Sequence, residues 1–97
     1  MTDDRFKYKI VGIYHSGRKG LRGEPRTDPK YEGMIGTLCD FDPEEVRMYQ
    51  EVRFHLKDHP MYEWWHTTGA VGLARNFDGS YHFETVNTIY VFKEVNE

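Results

Sequence analysis

The sequence predicts a single all-β or β-dominated domain, a small antiparallel barrel of five to six short strands with one short helix. Three observations carry that prediction. Two strand-like runs flank the turn Asn76-Phe77-Asp78-Gly79, and a third comes after Val86-Asn87, which is the pattern of an antiparallel meander. Between Arg5 and His15, the residues Phe6, Tyr8, Ile10 and Tyr14 alternate with Lys7, Lys9, Val11 and Ile13, a period of two. A chain of 97 residues is one domain, 1–97, and a core of that size buries only about 60 to 65% of the surface the unfolded chain exposes. With aromatic residues at 15%, large rings must supply much of that buried area.

Arg5 to His15 is the first strand, with one wet face at its start. Ser16 to Lys30 carries three glycines and two prolines and is too long for a tight hairpin, so it reads as an exposed Gly/Arg-rich loop. Glu32 to Phe41 reads as a second strand in which Gly33 and Gly36 mark a bend or a close backbone approach. Asp42-Pro43-Glu44-Glu45 is a helix start, with an acceptor at the cap, proline in the first turn and carboxylates where the dipole favours them. Val52, Phe54 and Leu56 alternate with Arg53, His55 and Lys57 as a third strand, which Asp58-His59-Pro60 ends. The meander supplies strands four to six. The runner-up is an α+β roll in which Asp42 to Gln50 extends into a longer helix over an open sheet.

The run Trp65-His66-Thr67-Thr68-Gly69-Ala70-Val71, then Asp78-Gly79, then Glu84 through Phe92 resembles the ending of small uncharacterised proteins from phages and other bacterial mobile elements. The order of a strand, a long loop, Tyr31 to Thr37 and a terminal meander is similar to an SH3-like barrel. Together the likeness covers roughly residues 31 to 92. It implies a fold and a genomic setting, and it brings no catalytic residue with it.

Composition excludes several classes. A net charge of -3 argues against nucleic acid as the partner, because dedicated nucleic-acid domains are strongly basic. The one cysteine, Cys39, rules out an internal disulfide, and no apolar run approaches the roughly 20 residues that cross a bilayer. The polar, acidic start Met1-Thr2-Asp3-Asp4 is unlike a signal peptide. The expectation is a cytoplasmic protein of a bacterial host cell, without a membrane partner and without a cofactor.

Several groups of residues are candidate sites. Gly17 to Arg26 places four cations, Arg18, Lys19, Arg22 and Arg26, on a glycine scaffold, and amides with guanidinium groups make a cradle for phosphate or carboxylate. The spacing matches neither a P-loop nor a dinucleotide fingerprint, and a solvated tip is the plain alternative. Trp64 and Trp65 face opposite sides of a strand, so one reaches the surface beside Tyr62 and His66, where it can stack on a base or anchor a partner, unless it caps the barrel. His55 and His59 lie four apart, but on a strand rather than a helix, and His66 with His82 lacks a specified third ligand, so no metal site is expected. Cys39 reads as a small apolar group. Thr67, Thr68, Thr85, Asn87 and Thr88 suit a hydroxyl-lined pocket for a small polar ligand, or simply strand and turn. Asp40, Asp42, Glu44 and Glu45 form an acidic face, either a helix cap or, with the basic loop, a means of setting the register of a homo-oligomer.

The function these features suggest is a non-catalytic binding or inhibitor protein of a phage or mobile element. It would counter a bacterial defence by sequestering an anionic nucleotide signal, or a defence protein met by the acidic face. The competing classes are a small nuclease or nucleotide hydrolase using His66 or His82 with Glu84, and a peptide-binding adaptor.

Overall fold

The computed structural model describes residues 7–17 and 22–95. Strand takes 48% of the described residues and helix 8%, which decides for the β-dominated fold over the α+β roll. Among these residues there are eight strands, against the five to six that the sequence predicts: β1 (Tyr8–Ser16), β2 (Arg22–Pro25), β3 (Leu38–Cys39), β4 (Arg53–His55), β5 (Trp64–His66), β6 (Ala70–Arg75), β7 (Tyr81–Thr85) and β8 (Thr88–Glu94). The extra strands are short pieces that alternation does not reveal.

The main sheet runs β2-β1-β8-β7-β6, all antiparallel, and β3 pairs with the start of β1 on the edge that β2 uses farther along. The hairpins form where turn chemistry puts them. The Asn76 carbonyl accepts from the Gly79 amide at 3.0 Å, and Gly79 sits at φ +88°, the left-handed region that favours glycine. Val86-Asn87 turns β7 into β8, pinned by the Thr88 amide on the Thr85 hydroxyl.

The sheet closes on itself. Cys39 bridges to Leu56, with the Asp40 amide on the His55 carbonyl, so β3 leads into the β4-β5 hairpin. The segment before β4 returns to β6, where the Tyr49 amide donates to Ala70 at 2.7 Å and the Ala70 amide to Gln50 at 3.0 Å. Close approach at this seam needs Gly69, whose added Cβ would lie 3.0 Å from the Tyr49 carbonyl oxygen. Tyr49 itself is held at φ +67°.

The core lies inside this ring. Phe41 stacks on Phe92 with centroids 4.0 Å apart, and Phe54 packs edge-on against Phe83, Tyr90 and Phe92. Ile10, Ile13, Met34, Cys39 and Leu56 fill the remaining space. Cys39 is a buried apolar group, as its sequence context suggests, and burial pushes its thiol up to about 12.

Three local expectations are corrected. The stretch that reads as a loop from Ser16 to Lys30 contains β2, whose side chains are all exposed and which is held through its backbone. Glu32 to Phe41 is strand only at Leu38–Cys39. Pro at the first position and the Asp28 carbonyl, which accepts from Tyr31 and Glu32, make a helical turn, α1 (Pro29–Glu32), and residues 33–36 form a turn. Asp42 does act as a cap by accepting from the Glu44 amide, but the element it caps is a single 3-10 turn at Pro43–Glu45.

Candidate functional site

Arg26 organises the site. Its amide donates to the Ile13 carbonyl at 3.0 Å, which continues the β2 pairing and turns the side chain toward the start of β8. There Nη1 donates to the Asn87 carbonyl at 3.2 Å and the Thr88 hydroxyl at 3.1 Å, with His15 Nδ1 at 3.4 Å. The guanidinium lies 4.9 Å from the ring centroid of Tyr31, a cation-π contact. Nη1 is therefore committed to holding the group in place. Nε is buried and unpartnered, and Nη2 makes no hydrogen bond among the described residues. These two nitrogens form one side of the guanidinium fork, the side that grips two oxygens of a carboxylate or phosphate.

Aromatic residues wall the space beside it. Tyr31 is the one residue that α1 buries, and its ring meets Trp65 edge-on at 5.7 Å. The Trp65 indole N–H donates to the Tyr90 hydroxyl at 3.2 Å, and Tyr62 packs on the indole at 5.5 Å. Burial, opposed by the Trp65 hydrogen bond and the Arg26 charge, pushes the Tyr90 phenol up to about 12, so it stays a donor at neutral pH. No described residue accepts its proton.

Threonines shape the floor. Thr67 accepts from the Val52 amide and donates to Thr68, and Thr85 donates to the Thr88 carbonyl, so both hydroxyls are spent on the backbone. The cleft they enclose, about 180 Å³, is also lined by His66, Thr68 and Asn87. Among the described residues no carboxylate lines it.

The site residues expected from sequence are partly brought together. Arg26, Trp65 and His66 line one cleft with all five residues of the expected hydroxyl pocket. Arg22 lies apart, over the Tyr14 ring at 5.2 Å. Arg18 and Lys19 lie outside the described residues. The two tryptophans do diverge: Trp65 packs against the core, while Trp64 is 41% exposed, stacked on His55 and covered by Arg53 at 4.6 Å. Trp64 lines a second cleft of about 270 Å³ with Asp40, Asp42, Glu45 and Glu51. This is the acidic face, and Asp42 is engaged there as the cap.

Of the two histidines considered with Glu84, His82 shares its strand and His66 lines the Arg26 cleft. Glu84 and His82 are alternate residues of β7, flanking Phe83, which points into the core. Glu84 accepts from the Ser16 hydroxyl at 2.7 Å. Burial and then the Arg22 charge lower the His82 pKa, and Glu84 opposes them. Among the described residues no group of three His, Cys, Asp or Glu is arranged for a metal ion, and no helix is long and apolar enough to cross a membrane. Sequence reasoning misses Tyr31 and Tyr90, which look like ordinary core aromatics. No family model matches the chain, and neither the curated proteins nor the solved structures contain a match.

Proposed function

We propose that this protein is a non-catalytic binding module that sequesters a small anionic ligand in the Arg26 cleft. The observation that carries the reading is the Arg26 guanidinium, fixed through Nη1, with no hydrogen bond on its Nε–Nη2 side among the described residues, in a cleft whose described lining holds no carboxylate. A buried N–H without an acceptor costs about 1 to 3 kcal/mol, which a bound oxyanion would relieve. The aromatic walls favour a ligand with a flat apolar part, as in a nucleotide. The resemblance of residues 31–92 supports the mobile-element setting, and a role against a bacterial defence is the reading that this setting suggests.

A thermal-shift screen of linear and cyclic nucleotides tests this. A ligand that binds only the folded state adds about 2.7 kcal/mol of stability at a hundredfold excess over its Kd. The shift should vanish in Arg26→Ala. A ligand that protects Arg26→Ala as well as the parent protein places the site elsewhere.

A further inference from the structure

We infer that the occupant of the Arg26 cleft presents a terminal phosphate, a phosphomonoester, in preference to a carboxylate or a phosphodiester. The inference rests on the anion-binding reading above and narrows it by counting what the cleft offers.

Three of its lining residues offer donors. The unspent side of Arg26 supplies Nε–H and Nη2–H. Tyr90 supplies a phenolic O–H whose oxygen already accepts from Trp65. Thr88 supplies a hydroxyl proton, because its oxygen accepts from Arg26 Nη1. Arg26, Tyr90 and Thr88 all line the same cleft. A carboxylate that fills the guanidinium side with its two oxygens keeps its remaining lone pairs in its own plane, so it meets the phenol and the hydroxyl only where they lie in that plane. A phosphodiester likewise has two terminal oxygens. A phosphomonoester has three, enough for the arginine and one hydroxyl together.

Charge points the same way. Lys30 holds its ammonium 5.1 Å from the Tyr31 ring centroid and 5.8 Å from that of Trp65, the two rings that wall the cleft. Arg26 lines the cleft and Lys30, outside its lining, stands against the two rings that wall it, so positive charge surrounds a site whose described lining holds no carboxylate. A phosphomonoester carries between about 1.5 and 2 negative charges at neutral pH, whereas a diester or carboxylate carries one. Size agrees as well: about 180 Å³ takes a phosphate and a small attached group, and anything larger must project outward. Because Nε is closed to solvent, an oxyanion reaches it only as the group covering that edge moves aside. Binding should therefore perturb the Tyr31 and Trp65 ring signals.

The test is an NMR titration at about pH 7.5, where a monoester is mostly dianionic, and fixed ionic strength with methyl phosphate, dimethyl phosphate and acetate, probes that carry no base. Methyl phosphate should shift the Arg26 Nε–H and Trp65 indole signals and bind about tenfold or more tightly than the other two, since one charge-assisted hydrogen bond is worth about that factor. Arg26→Lys keeps the charge and loses the fork, and should weaken methyl phosphate about tenfold with an otherwise native spectrum. Tyr90→Phe, the second variant, should narrow the preference for methyl phosphate over dimethyl phosphate. Equal binding of methyl phosphate and either competitor overturns the monoester assignment and leaves the anion cleft standing. If none of the three perturbs the cleft, or if Arg26→Lys binds as the parent does, both readings fall.

Discussion

The Trp65 indole N–H donates to the Tyr90 hydroxyl at 3.2 Å and so ties β5 to β8 across the mouth of the cleft. The bond joins the small hairpin to the main sheet by side chains. Tyr90→Phe leaves the indole without that acceptor and should cost about 0.5 to 1.5 kcal/mol, lowering Tm by about 4 to 8 °C per kcal/mol. A double-mutant cycle with Trp65→Phe should return a coupling of similar size. Additive effects would show that the bond contributes nothing in solution.

Alkaline pH should weaken the fold before it affects any exposed group's role. Burial raises the Tyr90 phenol from 10.0 and the Cys39 thiol from 9.0, each to about 12. The folded state then holds both protons more tightly than the unfolded chain. Their contribution is complete below about pH 9 and is lost as pH rises through the folded values near 12. Shifts of this size correspond to about 3 kcal/mol for the phenol and about 4 kcal/mol for the thiol. Urea midpoints measured from about pH 7 to about pH 11 should fall steadily above about pH 9, and Cys39→Ala with Tyr90→Phe should flatten the curve.

Gly79→Val should cost about 1 to 2 kcal/mol through its backbone alone. The residue sits at φ +88°, yet the nearest atom to an added Cβ is Arg75 Nη2 at 3.9 Å, so no clash contributes. Gly79→Asn, which tolerates that region better, should lose less. Equal melting temperatures for the Val and Asn variants would contradict the assigned conformation.

Arg26→Met should separate binding from stability. The thioether stem retains packing on Tyr31, and the change removes the hydrogen bonds to Asn87 and Thr88 together with the unpartnered Nε. These effects oppose each other, so Tm should change by less than the equivalent of about 1 kcal/mol while anion binding disappears. A large loss of stability would recast Arg26 as a structural residue.

Much of the fold can be read from local chemistry, and little of the cleft can. The turn at Asn76 to Gly79 is visible because only a few residues accept a positive φ, and Phe54 and Leu56 are visible because burial alternates along β4 and just beyond it. β2 leaves no trace in Arg22-Gly23-Glu24-Pro25, since an exposed edge strand held by backbone bonds needs no alternation. Gly33 and Gly36 read as marks of a bent strand, but they come after a proline-started helical turn that propensity alone does not reveal. The threonines and Arg26 can be named in advance as polar groups suited to a ligand. Tyr90 cannot, because Thr88 to Phe92 is buried on both faces and hides which ring turns toward Arg26. Tyr31 reaches the site only through tertiary packing against Trp65.

The pairing of β1 with β8 sets a timetable for folding. Its register runs from Tyr8 opposite Glu94 to His15 opposite Thr88, so the longest ladder among the described residues joins strands separated by most of the chain. Closing so large a loop must precede any reward from the ladder, which places the domain among slow, high-contact-order folders, on the scale of milliseconds to seconds. On the ribosome, β1 would wait for its partner until the last strand is made, several seconds at about 5 to 20 residues per second. Lys7, just before that waiting strand, and Lys9, near its start, put charge at one end of it and are then guards against premature association.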